Sequence, residues 1–309
     1  MLPVRPMVLV NPAARRGGRR GLLEDFLAGL ALPGAVGIVP ASREEAVARM
    51  AEAGARGHDG LIVLAGDGGL NAALPPALAQ NLPLAVCPAG TANDWARHVG
   101  MPRHPWQAGA ALRSGRLARV DVLEVEGRPF LTGGGLGAVA AVAESVNQAK
   151  ARSDALGAFT RALGAAVYLV HTVGVVLGRQ DVWFDWTLTH EDGTARQFRS
   201  LAVFVHNVPT IGHFVRAVPA ARPDDGRMDL MALLGTGRLG ILRDVARLSA
   251  PFVPRPFPEA LLEGGHAWTL AAERPFVFHG DGDPLAEGKV MRFASRPAAL
   301  LAWLPGRAD

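Results

Sequence analysis

The sequence predicts two domains: an open parallel α/β domain, followed by a β-rich domain of the antiparallel, sandwich-like type. The chain has 309 residues, which is more than one ordinary domain needs. Up to residue 120, short apolar runs alternate with helical patterns. Beyond that point the predicted strands become longer and alternate between apolar and polar residues, which is typical of antiparallel sheets with one solvated face.

The first region contains four predicted strands. They are residues 7–10, 35–39, 61–64 and 84–87, and helical patterns cover residues 22–30 and 44–53. Ser42 precedes the second helix and Glu45 follows three residues later, which resembles a capping box. Because these strands are apolar throughout and separated by helices, we expect a parallel sheet covered on both faces.

The second region begins with a predicted strand at residues 120–125. Further strands are predicted at residues 182–189, 200–205, 228–233, 275–278 and 289–293, and helices at residues 138–149 and 157–178. The closing apolar run at residues 299–304 is able to pack on either domain. We predict a first domain of residues 1–120, joined by residues 297–309, and a second domain of residues 121–296.

Composition excludes several classes of protein. The single cysteine, Cys87, rules out a disulfide framework or a cysteine-rich zinc site. A net charge of +4 is too small to indicate nucleic-acid binding, so we expect no nucleic-acid partner, although it suits phosphates or anionic lipid surfaces. The longest apolar stretch, residues 162–178, is shorter than the ~20 residues of a membrane-spanning helix, and the N-terminus reads as a strand rather than a signal peptide.

Three loops follow predicted strands of the first domain. In an open parallel sheet, ligands bind at the carboxyl ends of the strands, so these loops should lie together. The first loop is Asn-Pro-Ala-Ala-Arg-Arg-Gly-Gly at residues 11–18, which includes Arg16. The second is Ala-Gly-Asp-Gly-Gly at residues 65–69. The third is Pro-Ala-Gly-Thr-Ala-Asn-Asp-Trp-Ala-Arg at residues 88–97. Small residues before a helix let backbone N–H groups approach a phosphate.

Each loop also has a purely structural interpretation. In that interpretation the first is a solvated basic loop, and Asn93 or Asp94 is a helix cap. Asp67 would repel a phosphate unless its carboxylate contacts a cation or accepts a hydrogen bond from a hydroxyl, so it indicates a Mg²⁺ ligand or a base. Its structural interpretation is the cap of a glycine turn. The loops are not a P-loop, since no Gly-Lys-Ser/Thr follows, and no Gly-x-Gly-x-x-Gly follows the first strand.

Taken together, the motifs resemble the diacylglycerol kinase catalytic-domain family, which includes bacterial lipid kinases and sphingosine kinases. The family pattern has Asn-Pro, here at Asn11, then Gly-Gly-Asp-Gly-Thr, here residues 65–69, then the Pro-x-Gly-Thr-x-Asn-Asp-x-Ala-Arg that residues 88–97 match in full. Asp121, the Asp-Gly-x-x-Asp segment at residues 225–229 and the Gly-Asp-Gly-Asp of residues 280–283 follow in family order.

The resemblance implies an ATP-dependent lipid kinase that uses Mg²⁺ and transfers the γ-phosphate to a lipid hydroxyl. The residues implied to hold the nucleotide are Asn11, Arg16, Ser42, Gly66, Asp67, Gly68, Gly69, Thr91 and Asn93. Those implied for metal are Asp67, Asp94 and Asp121, with Asp225 in a structural metal site, and the candidate bases are Asp283 and Asp67. We expect a cytoplasmic protein in peripheral contact with the membrane that holds its lipid substrate; the sequence does not indicate the oligomeric state.

The sequence departs from the family pattern at four places. Gly69 replaces a threonine, Ala72 a glutamate and Asp283 a glutamate, and Gly137-Ala138 falls where an aspartate is common. Two alternatives stay open: a degenerate nucleotide-binding protein of the same fold, which Gly69 and Ala72 favour, and a kinase of a soluble substrate such as NAD.

Overall fold

The chain forms two compact units. The first comprises Met1–Val122 and Pro297–Asp309, and the second Leu123–Arg296. This computed structural model describes residues 1–11, 19–151, 166–178, 182–211, 216, 218–234, 237, 239–240, 243–244 and 260–306. The predicted fold class is confirmed, because a mixed α/β part with parallel strands precedes a β-rich part.

The described helices and strands are numbered in chain order. The strands are β1 (Met7–Val10), β2 (Val36–Ile38), β3 (Leu61–Ala65), β4 (Leu84–Pro88), β5 (Arg116–Val125), β6 (Arg128–Phe130), β7 (Gly133–Gly137), β8 (Phe184–His190), β9 (Ala195–Ser200), β10 (Ala202–His206), β11 (Met228–Leu233), β12 (Ala260–Gly265), β13 (Ala267–Gly280) and β14 (Asp283–Leu304). The helices are α1 (Arg19–Leu30), α2 (Arg43–Ala51), α3 (Asp67–Gln80), α4 (Asp94–His98), α5 (Pro105–Arg113), α6 (Ala138–Ala151) and α7 (Ala166–Gly178).

The first unit is built on a parallel sheet in the order β2-β1-β3-β4. The last residues of β14 add a further parallel neighbour to β4, with Ala302 opposite Leu84. Trp303 is buried in the core of this unit, and its indole N–H donates to the carbonyl of Leu112 at 3.0 Å. The end of β14, from Pro297 onward, is therefore part of the first unit, whereas its earlier residues belong to the second.

The second unit is an antiparallel sheet in the order β12-β11-β10-β7-β13-β14, with β8 and β9 continuing from β13. One face packs an aromatic cluster, whose members include Phe130, Trp186, Phe276, Phe278 and Phe293. The other face is covered by α6 and α7. Of the predicted helix at residues 157–178, residues 157–165 lie outside the described part. None of the described helices combines the length and apolar character needed to cross a membrane.

Strand β7 had no strand signal in the sequence, because Gly-Gly-Gly has poor intrinsic β-propensity. Pairing with β10 and β13 on either side holds it in the sheet. Glycine is required by close packing: a Cβ on Gly133 would lie 2.4 Å from Nδ1 of His206, and one on Gly134 would lie 2.1 Å from the carbonyl oxygen of His279. The neighbours of β7 therefore explain a strand that local sequence disfavours.

His206 is held neutral inside the second unit. Its side chain is 1% exposed, and Nδ1 lies 3.1 Å from the carbonyl oxygen of Val208, so Nδ1 carries the proton that this bond requires. Nε2 has no hydrogen-bond partner among the described residues. Burial lowers the pKa of the imidazole to about 4, with the bond to Val208 opposing that shift.

We expect this histidine to make stability fall with acidity. The folded-state pKa lies below the value of about 6.5 in the unfolded chain, so the unfolded chain binds the proton more readily as the pH falls from about 6.5 to 4. Over this range the free energy of unfolding should drop by about 1.4 kcal/mol per pH unit from this group. Urea unfolding at a series of pH values should give a shallower slope for His206→Asn than for the wild type.

The matched control is His104→Asn, the same substitution at an exposed histidine of the first unit. Its slope should equal that of the wild type. Identical slopes for His206→Asn and wild type would contradict the assignment of the acid sensitivity to His206.

Candidate functional site

The loops after β3 and β4 and the residue that follows β1 lie at the carboxyl edge of the parallel sheet in the first unit. Asn11 follows β1, Gly66 lies between β3 and α3, and residues 89–93 lie between β4 and α4. Residues 12–18 of the first predicted loop lie outside the described part of the chain. The backbone N–H of Asn11 donates to Leu64 at 3.0 Å, and that of Ala89 donates to Ala65 at 3.0 Å. The prediction that the ends of β1, β3 and β4 are neighbours follows directly from the strand order.

Asp67 ties the second loop to the third. Its Oδ2 accepts from the backbone N–H of Asn93 at 3.0 Å, and its Oδ1 accepts from that of Asp94 at 2.8 Å. These two groups belong to the start of α4, where an ionised carboxylate is a favourable acceptor. One carboxylate therefore fixes the glycine-rich loop after β3 against the loop after β4.

Asn93 closes the third loop on itself. It has φ +55°, in the left-handed region that asparagine tolerates better than most residues. Its Oδ1 accepts from the N–H of Gly90 at 2.8 Å, and its Nδ2 donates to the carbonyl of Gly90 at 3.0 Å. Both polar ends of the amide are thus engaged within the loop, and a contact from Asn93 to a nucleotide stays a prediction.

The two loops touch through glycine backbones. A Cβ on Gly66 would lie 2.9 Å from Cα of Gly90, and one on Gly90 would lie 2.5 Å from Cα of Gly66. Neither position has room for a side chain without backbone movement. Thr91 next to this contact is exposed, which leaves its hydroxyl accessible to a ligand.

Gly69 and Ala65 share one space. A Cβ on Gly69 would lie 2.3 Å from the Cβ of Ala65 and 3.2 Å from Nδ2 of Asn11. Ala65 is 1% exposed at the end of β3, so its methyl group cannot move aside to make room for a side chain at position 69. The departure from threonine at position 69 therefore has a steric cause in this chain, which the sequence did not reveal.

The predicted metal carboxylates have other contacts in the structure. Oδ1 of Asp121 accepts from the backbone N–H of Ala298 at 2.7 Å, at a point where Ala298 has φ +52°. The described part of the chain contains no group of three or more histidine, cysteine, aspartate or glutamate residues that could hold a metal ion. Asp67, Asp94 and Asp121 thus do not form such a group by themselves, and a site shared through water or phosphate stays a prediction.

The remaining predicted residues fall in several places. The Ser42 hydroxyl accepts from the N–H of Glu45 at 3.2 Å, and the Glu45 carboxylate accepts from the N–H of Ala41 at 2.8 Å, so Ser42 caps α2. Arg16 lies outside the described residues. Asp225 is exposed, and its Oδ1 accepts from the N–H of Arg227 at 3.0 Å. Roles for Ser42 and Asp225 in nucleotide or metal binding stay predictions.

In the second unit, Asp281 rather than Asp283 organises the turn between β13 and β14. Asp281 is 2% exposed, and its carboxylate accepts from the backbone N–H groups of Leu131 and Thr132, each at 2.8 Å, and from the Thr132 hydroxyl. Asp283 is half-buried and begins β14. Sequence reasoning gave Asp281 no role of its own, because the turn contains two aspartates and only the packed structure separates them.

His279, on β13 two residues before this turn, is a buried residue that sequence reasoning did not select. Its side chain is 7% exposed, and Nδ1 has no hydrogen-bond partner among the described residues. Burial lowers the pKa of the imidazole, while the carboxylates of Glu144 and Asp283 oppose the shift. Burial therefore favours the neutral form of the His279 imidazole.

The shared space of Ala65 and Gly69 predicts a compensating pair of substitutions. Gly69→Ala should lower the free energy of unfolding by about 1–3 kcal/mol, because its methyl group collides with that of Ala65. The double variant Ala65→Gly, Gly69→Ala should recover much of this loss, as measured by urea unfolding. Gly21→Ala in α1, where a Cβ meets nothing within 4 Å, is the control and should be neutral or stabilising.

The two aspartates of the β13–β14 turn should differ in their effects on stability. Asp281→Ala leaves two buried backbone N–H groups and the Thr132 hydroxyl without their acceptor, so unfolding free energy should fall by about 2–4 kcal/mol. Asp283→Ala, at a half-buried position, should cost under about 1 kcal/mol. Urea unfolding of the two variants checks this order, and equal losses would contradict it.

Comparison with known proteins agrees with this architecture. The diacylglycerol kinase catalytic domain family matches residues 5–125, and the YegS C-terminal NAD kinase beta sandwich-like domain matches residues 135–302. Among solved structures, a diacylglycerol kinase from Bacillus anthracis has a TM-score of 0.78 at 19% identity, covering 98% of each chain. At that identity the likeness shows the fold.

Sequence relatives extend over most of the chain. A protein of Pseudomonas fluorescens named "Probable lipid kinase YegS-like" is 30% identical over 270 residues, covering 82% of this chain and 80% of that protein. A protein of the same name from Pseudomonas aeruginosa is 30% identical over 274 residues, covering 82% and 79%. A Staphylococcus haemolyticus protein with a lipid kinase name is 30% identical over 173 residues, which is only 52% of its own length. The chain belongs to the YegS-like lipid kinase family, with a diacylglycerol kinase catalytic domain at its N-terminus.

Proposed function

We propose that the protein transfers the γ-phosphate of ATP to a hydroxyl group of a membrane lipid. The observation that carries the proposal is the bridge from Asp67 to the backbone of Asn93 and Asp94, which joins the glycine-rich loop after β3 to the loop after β4 at the carboxyl edge of a parallel sheet. This edge is where open α/β sheets bind ligands. Family membership supports a lipid as the acceptor.

The donor set suits Mg²⁺. This ion prefers hard oxygen ligands, and it is commonly held by one or two carboxylates together with waters and substrate phosphates rather than by a full protein cage. Asp67 and Asp94, which are joined by a hydrogen bond, offer such oxygens, and Asp121 is a third candidate in the same unit. The ion would supply neutralisation of phosphate charge during transfer.

The chain's own groups bind and orient the phosphates and accept the proton of the acceptor hydroxyl. Phosphoryl transfer depends mainly on positioning and on stabilising charge. Backbone N–H groups in the first turn of α3, beginning at Gly66 and Asp67, together with Asn11 and the exposed Thr91 hydroxyl, hold and orient the phosphates. Because Asp67 already accepts two backbone hydrogen bonds, we assign it to organising the loops, and we assign acceptance of the hydroxyl proton to Asp283.

A degenerate nucleotide-binding role is the second candidate. The observation that favours it is the absence of a side chain at position 69, which the Ala65 methyl group enforces. In that case ATP would bind without turnover. A soluble acceptor such as NAD is a third candidate, which the NAD kinase-like description of the second family domain favours.

We further propose that the protein contacts the membrane peripherally, since its acceptor resides there. Helix α7 contains no charged residue and exposes Val170, Val173 and Leu177, which are spaced along one face. An exposed aliphatic stripe of this kind favours contact with an apolar surface. The arginines near residues 15–20 are a second candidate, although residues 12–18 lie outside the described part of the chain.

Incubation with labelled ATP, Mg²⁺ and a total lipid extract should move label into the organic phase. Asp67→Asn should lower turnover by at least about 10²-fold, because Asp67 positions the loops whose groups stabilise the charge on the phosphates in the transition state. Asp283→Asn should abolish turnover and keep ATP binding, whereas Asp283→Glu should retain activity. Initial rates, with nucleotide affinity measured by calorimetry, check each variant.

Three other outcomes have distinct meanings. Label in an aqueous product instead of a lipid would indicate a soluble acceptor, and ATP binding without any labelled product would indicate the degenerate protein. Wild-type turnover in Asp283→Asn would remove Asp283 as the base. Exposed Asp185→Asn, in the second unit, is the charge-matched control and should retain full activity.

A further inference from the structure

A cleft in the first unit has two arginines among its lining residues and no carboxylate. Its volume is about 310 Å³, at the lower end of the range for small-molecule sites. The lining consists of Pro88, Asn93, Arg97, Gly100, Met101 and Arg103, all from the described part of the chain. A concave surface lined by a single sign of charge concentrates the field and raises the local concentration of anions.

The two arginines differ in how they are held. The Nε of Arg97, in the last turn of α4, donates to the carbonyl of Ala92 at 2.7 Å, which fixes the direction of its guanidinium group. Arg103 is exposed and makes no hydrogen bond or ion pair with the described residues. One guanidinium is thus pre-oriented, and the other is free to close on a ligand.

The cleft is continuous with the loops described above. Pro88 ends β4 and Asn93 lies beside the Asp67 bridge, so the wall of the cleft is anchored by the same hydrogen bonds. Met101, which is 5% exposed, and Pro88 add apolar surface. A bare inorganic ion would use only the arginines, whereas a phosphate joined to an organic group would use both kinds of surface.

We propose that this cleft binds a phosphate ester, with Arg97 and Arg103 contacting the phosphate oxygens and with Pro88 and Met101 contacting the attached organic group. Guanidinium groups suit this ligand, because their planar arrangement of donors matches phosphate oxygens in pairs. The proposal rests on the proposed function only for the source of the ester, which is either the nucleotide or the phosphorylated lipid.

The test compares Arg103→Gln with Arg113→Gln, which removes the same charge from an exposed position at the end of α5, away from the cleft lining. Two probes distinguish the sources: ADP, measured by calorimetry, and phosphatidylcholine vesicles containing phosphatidate, measured by sedimentation. Arg103→Gln should weaken binding of one probe by about 10-fold or more, while Arg113→Gln leaves both within about twofold. Arg97→Gln should weaken the same probe.

Loss of ADP affinity assigns the cleft to the nucleotide, and loss of vesicle binding assigns it to the lipid phosphate. If Arg103→Gln and Arg97→Gln, each with wild-type thermal unfolding, bind both probes as the wild type does, the proposal is overturned. If phosphatidate binding falls in Arg103→Gln but the wild type neither binds ADP nor transfers phosphate, the cleft stands and the proposed kinase activity fails. If the wild type transfers phosphate but Arg103→Gln and Arg97→Gln bind both probes as the wild type does, the kinase activity stands and the assignment of the cleft fails.

Discussion

The carboxylate of Asp67 is the contact on which the candidate site depends. Its two oxygens accept from consecutive backbone N–H groups, those of Asn93 and Asp94, and so join the loop after β3 to the loop after β4. Two further features of this edge are linked to that junction. The backbones of Gly66 and Gly90 lie in contact only while the two loops are held together. The hydrogen bonds between the Asn93 side chain and Gly90 set the shape of the segment that Asp67 binds.

Much of the first unit follows from local sequence. Strands β1, β3 and β4 are short apolar runs, and the Ser42–Glu45 pair caps α2 as its spacing indicates. The second unit was predictable as a class but not in detail. Strand β7 is a glycine run whose place depends on the neighbours that press against it, above all His206, and no local signal reports such neighbours.

The candidate site shows the same division. Residue types at the ends of strands indicated which loops would meet, because the topology of a parallel sheet is regular. Which oxygen bonds which N–H was not predictable, because it depends on backbone placement. The sequence therefore did not distinguish the structural Asp281 from Asp283, did not reveal that Asp121 accepts from Ala298, and gave no reason for the glycine at position 69.

The contribution of β14 to the first unit affects the order in which the protein can form during synthesis. Trp303 and Ala302 complete the core and the sheet of the unit that contains residues 1–122, so this unit lacks an interior side chain until synthesis has passed residue 303. All residues of the second unit, Leu123–Arg296, emerge earlier. The first unit is consequently completed only after the second has been synthesised, and until then its incomplete core exposes apolar surface of the kind that promotes aggregation.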